Sequence, residues 1–557
     1  MALPLDPVRP AADVRPEPEA AAPRGPRRWA RSRWALMRAG LPRTVLAVLC
    51  GVLLALSFPP YGLWPLSVLA VAGLSLLTHR RTARQAAWTG FVFGAPFLLW
   101  LLFWLNVIGL DAWLLLALFE SLFVAAMAVG QALTSRLRAW PLWTACLWVA
   151  QEWARDRVPL GGFPWGRLAF ANTSSPFTPL AAIGGAPLVS FGVALSGALL
   201  AAALITARGR EGARRGVRAG ACAAAALICA VVGYTVPVPT AGQTSGGPAS
   251  AEIAVIQGNV PHAGMNFLGR PMEVLENHVA ETDKLAAAVD AGRTPRPDLV
   301  VWPENSSDVD PFLTPAAFDL IQQTVQRIGV PILVGALVNG PDASHIQNEG
   351  IVWSPATGPG AHYTKQHPVP FGEYVPYRSL LTPYFSELKR IPVDFYAGRT
   401  TGILQVGPAR IGDVICFEVA YDGIVHDAVA KGGRVLVVQT NNATYEHTDQ
   451  PDQQFAMSRL RAVESGRAVV IASTSGISAV IAPDGRVVER TQLATAAELE
   501  ARVPLRDSPT VADRVGAAPE WALAMVGLLA CAFAMYAGRR NRVPATANDD
   551  AEEGAGP

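Results

Sequence analysis

The sequence predicts two structural classes in one chain: a polytopic α-helical membrane domain of about eight spans, and an α/β domain inserted between the seventh and eighth of them. Three observations point there. Of 557 residues, 51% are hydrophobic and only 16% charged, too apolar for an ordinary soluble protein and long enough for more than one domain. Arginines crowd the first 43 residues and short loops between apolar runs, although the net charge is only +2; this pattern fits membrane topology better than nucleic-acid binding. Beyond residue 250, short β-branched runs alternate with helical patterns, as in a layered α/β domain.

Residues 1–43, with PLDPVRP and RPEPEAAAPRGPRR, have too little aliphatic content to offset the entropy of ordering. They are expected to form a disordered Arg/Pro-rich cytoplasmic tail, without the cleavage pattern of a signal peptide. Residues 44–236 then hold seven expected spans, at roughly 44–58, 63–78, 86–108, 112–135, 140–155, 186–206 and 218–236, with an eighth at 520–537. Several are shorter than the ~20 residues that an untilted helix needs. Pro59, Pro60 and Pro65 should end one helix and start the next in a tight turn.

If the spans alternate, the basic tail, HRRTARQ, SRLRAW, ARGREGARRGVR and GRRNR share one side. The positive-inside rule makes that side cytoplasmic, with both termini. The α/β domain then lies on the extracytoplasmic face of the cell membrane. Arg155, Arg157 and Arg167 run against this rule.

The Pro/Gly/Ser-rich stretch 237–250 reads as a linker. Residues 251–510 follow as the α/β domain, with strands expected in AEIAVIQ, DLVVWPE, VPILVGAL, GIVWSPA, IGDVICFE, RVLVVQT and AVVIAST. Residues 538–557 form a second cytoplasmic tail.

Of six cysteines, five fall in apolar runs; Cys416, in DVICFEVAYD, has no partner in its own domain. A disulfide there is excluded, and no metal-ligand spacing appears. Reactive side chains in open α/β sheets sit just beyond strand ends. Three candidates fit: Glu304 after DLVVWPE, Lys365 in the loop YTKQHPVPFGEYVP, and Cys416 after IGDVI. Singly, each has an ordinary reading: a strand-end cap, a solvated charge, a core thiol. Together, an acid and an amine beside a thiol are what nucleophilic catalysis by cysteine requires.

WPEN, the spacing in KQHPVPFGE and the CFE turn resemble the Glu-Lys-Cys triad of the nitrilase superfamily, which implies an α-β-β-α sandwich. With the membrane spans, PFGEYVP, GFPW at 162–165, EW at 152–153 and SFPPYG at 57–62, the chain resembles the membrane-embedded apolipoprotein N-acyltransferase family. QGNVPHAGMNF and TNNATYEHTDQPDQQFAMSRLRAVE look most like its high-GC Gram-positive branch. The resemblance implies a ping-pong acyltransferase without cofactor or metal. A phospholipid would donate its acyl chain through a Cys416 thioester to the N-terminal S-diacylglyceryl cysteine of lipoproteins. Glu304 would be the base, and Lys365 with the Phe417 backbone N–H would hold the oxyanion. Glu373 would hold Lys365, and Glu418 would position a loop or the incoming amine unless it is a solvated strand-end charge. Phe163, Trp165 and Phe267 are candidate lipid contacts. Phe417 stands where relatives commonly carry Tyr, and Thr444-Tyr445 replace a more usual aromatic pair.

Other readings use the same residues. A membrane-tethered amidase acting on a small soluble amide would need the triad but not the seven spans ahead of it. A transporter or scaffold would need ionisable residues in its spans, where Glu120 and Glu152 are the main candidates. His426 or His447 could replace Glu304 as base, without a comparable positional argument.

Overall fold

Proline-punctuated apolar runs dictate the first half of the chain. In the computed structural model, which describes residues 26–208, 213–240, 248–262, 264, 269–342, 344–384 and 386–540, they form seven helices. These are α1 (Pro26–Leu56), α2 (Pro65–Thr78), α3 (Ala83–Leu101), α4 (Leu110–Thr134), α5 (Trp140–Arg155), α6 (Ala181–Ala207) and α7 (Ala213–Val231). Phe267, half of the linker and the outer parts of both tails lie outside the described residues. The chain divides into two units between Val45 and Leu46; the first holds the leading part of α1, which begins at Pro26, upstream of the boundary set at residue 43.

Four helices among the described residues are long and apolar enough to cross a membrane: Leu110–Thr134, Thr178–Ala207, Arg214–Thr235 and Ala518–Arg540. They give the chain multi-pass membrane character, and they correct the expectation of about eight spans. The remaining apolar runs fall short for local reasons. The apolar part of α1, Gly40–Leu56, and α2 are both short; the 14 residues of α2 rise about 21 Å, against a hydrocarbon core of about 30 Å. The run expected at 86–108 breaks, because α3 stops at Leu101 and a 3-10 turn, Phe103–Val107, follows. In α5, only 16 residues long, the final turns carry Glu152 and Arg155.

The arginines that oppose the positive-inside pattern are held in ion pairs. Arg155 pairs with Glu120 at 3.4 Å and Arg157 with Glu520 at 2.6 Å. Arg167 faces Asp422 at 2.8 Å, Asp156 at 3.3 Å, Glu520 at 3.6 Å and Glu152 at 3.8 Å. Glu120 and Glu152 are thus paired structural carboxylates, which removes the main support for an ion path.

The second half alternates as its sequence pattern requires. Strands β1 (Ser250–Gln257), β2 (Leu299–Val301), β3 (Ile332–Asn339), β4 (His345–Ser354), β5 (Gly358–Thr364) and β6 (Asp394–Phe395) come first, with helices α8 (Glu273–Asp290), α9 (Pro315–Ile328) and α10 (Arg378–Leu381) between them. Next are β7 (Ile403–Val406), β8 (Ala409–Ile415), α11 (Asp422–Ala430), β9 (Val435–Thr440), α12 (Gln450–Ser465) and β10 (Val469–Ser473). The chain continues through β11 (Ala479–Ile481), β12 (Val487–Arg490), β13 (Ala497–Pro504), α13 (Val511–Val515) and α14 (Ala518–Arg540).

One sheet runs β13-β1-β2-β3-β4-β5, with β6 beside β4; the other runs β12-β11-β10-β9-β8-β7. Each has three parallel strands at its centre, β1-β2-β3 and β8-β9-β10, flanked by antiparallel ones. The sheets face each other across a core that includes Val255, Leu333, Ile415 and Val437. Outside the first sheet, α8 and α9 pack through Leu275, Ile321 and Val325. Outside the second, Val425 of α11 and Leu460 of α12 join a core that continues unbroken into Phe93, Trp148 and Phe170 of the helical part. The layer order is helices, sheet, sheet, helices, and the last layer is shared with the membrane helices.

Candidate active site

Both parallel triplets end on the same cluster of polar side chains. Glu304 lies three residues beyond β2, Lys365 directly follows β5, Cys416 directly follows β8, and Asn441 directly follows β9. Carboxyl ends of parallel strands are where such sheets present reactive groups. The chain after β2 approaches β3 so closely that a Cβ on Gly335 would stand 2.1 Å from the Pro303 carbonyl oxygen; no larger residue fits there. Two turns are strained: Asn305 has φ +54° and Cys416 φ +55°, left-handed values that cost a non-glycine residue about 1–3 kcal/mol.

Glu304 is buried and held on both oxygens. Its Oε1 accepts from Asn348 Nδ2 at 2.6 Å and from Lys365 Nζ at 3.0 Å, and its Oε2 accepts from the Asn441 backbone N–H at 2.7 Å. Lys365 also donates to Glu373 Oε1 at 2.7 Å, and Glu373 Oε2 accepts from the Val369 backbone at 2.8 Å. Burial works against the Lys365 ammonium, but the Glu304 and Glu373 carboxylates outweigh it and hold its pKa well above the usual value. The lysine is therefore a fixed cation.

Cys416 is partly exposed, with Thr440 Oγ1 3.3 Å from its sulfur. Burial and the Glu304 charge push its pKa up to about 12, against the opposing pull of Lys365. At pH 7 the resting group is a thiol, and forming the free thiolate costs about 7 kcal/mol. Attack by this sulfur needs a base that removes the proton as the new bond forms. His426 and His447 do not supply one: His426 Nε2 lies 2.9 Å from the Asp513 carbonyl oxygen, and His447 is exposed beside Glu446. His367 packs on Phe417 and Tyr421, and burial followed by the Lys365 charge lowers its pKa to about 4.

Glu418 is neither solvated nor open to an incoming amine. It is fully buried and accepts from the Ile415 backbone at 2.8 Å, the Gln366 backbone at 2.6 Å, the His367 backbone at 3.1 Å and the Tyr363 hydroxyl at 2.9 Å. It ties the cysteine turn to the loop that follows Lys365. Phe417 is buried in an aromatic stack, 5.7 Å from Phe163 and 6.0 Å from Trp165 between ring centroids, with Tyr421 edge-on at 5.2 Å. Trp165 is itself buried and donates from Nε1 to Gln453 Oε1 at 2.6 Å. Trp104 continues the aromatic wall, touching both Trp165 and Tyr445.

The sequence pattern did not single out Asn348, Tyr363, Asp413 or Asn441. Asn441 was within reach, since RVLVVQT is a third parallel strand whose end had to point the same way. Asp413 sits inside β8 with neither carboxyl oxygen hydrogen-bonded; burial first, and then the Glu418 charge, raises its pKa well above the ordinary carboxylate value.

Two family models divide the chain: residues 50–199 match the apolipoprotein N-acyltransferase N-terminal domain, and residues 252–507 match the carbon-nitrogen hydrolase domain. An apolipoprotein N-acyltransferase of Mycolicibacterium smegmatis is 38% identical over 494 residues, covering 86% of this chain and 82% of that protein. Those of Geobacter metallireducens and Pseudomonas putida are each 30% identical, covering 86% and 91% of this chain and 92% and 99% of their own lengths. With a partly exposed thiol, a held carboxylate and a fixed ammonium at converging strand ends, the chain is a nitrilase-superfamily enzyme that belongs to the apolipoprotein N-acyltransferase family.

Proposed function

We propose that this enzyme N-acylates the N-terminal S-diacylglyceryl cysteine of lipoproteins, with a membrane phospholipid as donor and Cys416 as the acyl carrier. The observation that carries this reading is the hydrogen-bonded set Glu304, Lys365 and Glu373 close enough to Cys416 to act on its charge. Its apolar core, continuous with the membrane helices, supports the choice of a lipid donor. The named relatives make a lipoprotein the acceptor to test first.

In the first step the Cys416 sulfur attacks the sn-1 ester carbonyl of the phospholipid while Glu304 takes the thiol proton. The developing oxyanion lies against Lys365 Nζ and the Phe417 backbone N–H, donors already in place in a water-poor site. The C–O bond breaks, Glu304 returns its proton to the departing alkoxide, and a lysophospholipid leaves behind a thioester. In the second step the free α-amine of the acceptor attacks that thioester. Glu304 takes the proton from the attacking nitrogen, the C–S bond breaks, and Glu304 passes that proton to the departing sulfur, so that the thiol is restored as the amide forms.

Glu373 holds Lys365 in position, and Glu418 holds the loop that carries it. Phe163, Trp165 and Phe417 form the wall along which an acyl chain would lie. Counted across the four spans, residues 251–510 fall on the side opposite the basic runs HRRTARQ, ARGREGARRGVR and GRRNR, which favours the extracytoplasmic face for the catalytic domain, where lipidated substrates would be anchored.

Purified enzyme mixed with phospholipid and a synthetic S-diacylglyceryl-cysteine peptide tests the reading. One acyl mass is expected on the peptide amine. An unchanged peptide, together with ammonia release from small soluble amides, would replace it with the amidase reading.

A further inference from the structure

The bundle carries a second feature at the end of α14 away from the cysteine. At the near end, Arg157 and Arg167 pair with Glu520 in the first turn of α14, next to Asp422 of the α/β layers. Thirteen residues on, about 20 Å along the helix, Phe533 lines a cavity of about 620 Å³ between α14 and the turn that joins α4 to α5. The groove arises from close packing. A Cβ on Gly527 would stand 2.9 Å from the Cys146 backbone carbon, so α14 meets α5 at backbone distance and its larger side chains stand clear to one side.

Val526, Leu529 and Phe533, spaced along one face of α14, form an apolar floor; Leu529 is 61% and Phe533 60% exposed. Arg136, Arg138 and Trp143 also line the cavity, and among the described residues no acidic side chain does. Trp143 is fixed there, since its indole Nε1 donates to the Arg138 carbonyl at 2.8 Å. Arg539 and Arg540, in the last turn of α14, add positive charge at the same end.

An apolar slot bordered by two guanidiniums and an indole matches a molecule with an acyl chain and a phosphate. Free phosphate would leave the floor uncovered, and a zwitterionic headgroup would bring no net charge to the arginines. We propose that this groove binds an anionic phospholipid that does not react at Cys416, its phosphate on Arg136 and Arg138 and its acyl chain along Leu529 and Phe533.

The test is native mass spectrometry of the full-length protein released from nanodiscs of phosphatidylglycerol or of phosphatidylcholine. Wild type is expected to retain one phosphatidylglycerol more than the R136Q/R138Q double variant, whose occupancy should fall about tenfold or more, and no extra phosphatidylcholine. Leu529→Trp, which fills the floor and leaves both arginines, should lose the same lipid. Both variants should keep wild-type peptide acylation, because the groove is remote from Cys416. Equal phosphatidylglycerol retention by wild type and R136Q/R138Q would overturn the proposal, as would equal retention of both lipids by wild type. A dimer that buries Phe533, seen by crosslinking in nanodiscs, would also overturn it by assigning the groove to a second copy.

Discussion

Glu304, Lys365 and Glu373 form one cluster of buried charge; Arg167, Asp422, Arg461 and Glu464 form another, where the helical part meets the α/β layers. The two look alike in their pairing. Lys365 has contacts of 3.0 and 2.7 Å to its carboxylates, and Arg461 has contacts of 2.7 and 2.5 Å to Asp422 and Glu464. They differ in what stands beside them. The first cluster acts electrically on a partly exposed thiol. The second contacts backbone: Arg461 donates to the carbonyls of Val419 and Ala420 at 2.8 and 2.9 Å, the closing residues of the turn that begins at Cys416. Buried, paired charge is therefore no mark of chemistry by itself. In the proposed mechanism the first cluster moves a proton, whereas the second braces the turn that carries the sulfur.

Glu304→Gln should produce the largest separation between the two. It keeps the size of the side chain but removes the base, so thioester formation should fall about 10²- to 10⁴-fold with little change in thermal stability. Thioester formation within threefold of wild type would remove Glu304 from the mechanism.

Arg167→Met should do the reverse. It leaves Glu152, Asp156, Asp422 and Glu520 without their shared cation, a loss of about 3–5 kcal/mol for a broken buried pair, read as a large drop in the thermal midpoint in detergent. The rate per folded molecule should stay within about tenfold. Unchanged stability would show that the second cluster is not a brace.

The thiol gives a pH prediction. With its pKa pushed up to about 12, Cys416 remains protonated through neutral pH. Its alkylation by a neutral reagent should rise about tenfold per pH unit from pH 7 to 10. A plateau near the pKa of a free cysteine would mean that burial and Glu304 do not raise this pKa, and a rate already flat at pH 7 would mean that a stable thiolate is present at rest.

The smallest effect concerns Asp413. Its folded-state pKa is raised, so above the ordinary value of 3.8 folding must take up a proton there, and stability falls as pH rises toward the folded pKa. Asp413→Asn removes that cost. It should leave activity unchanged and stability equal or slightly higher at pH 7; a loss of more than about 2 kcal/mol would show that a carboxylate is needed.

The parallel strands were legible because strands buried on both faces read as unbroken apolar runs, as VLVVQ and AVVIA do. Strands β5, β12 and β13 were not, because half-exposed antiparallel strands such as GPGAHYT and AELEARVP carry too few apolar residues to stand out. Glu304, Lys365 and Cys416 were legible as polar residues at strand ends. Asn348 was not, since a polar residue inside β4 shows its role only once β4 lies beside the end of β2 through β3. The span count failed because hydropathy registers apolar content, whereas crossing a membrane also requires uninterrupted length, which Pro59, Pro65 and the break after Leu101 deny. Arg167 stood out as an exception to the positive-inside pattern, and its reason was not legible because the four carboxylates that hold it come from separate parts of the chain.

The most direct measurement is the intact mass of the enzyme after incubation with phospholipid alone. Wild type should gain one acyl group, released by neutral hydroxylamine or by a diacylglyceryl-cysteine peptide, and Cys416→Ala should gain none. An acyl adduct that persists on Cys416→Ala would contradict the thioester mechanism, as would peptide acylation by that variant at the wild-type rate.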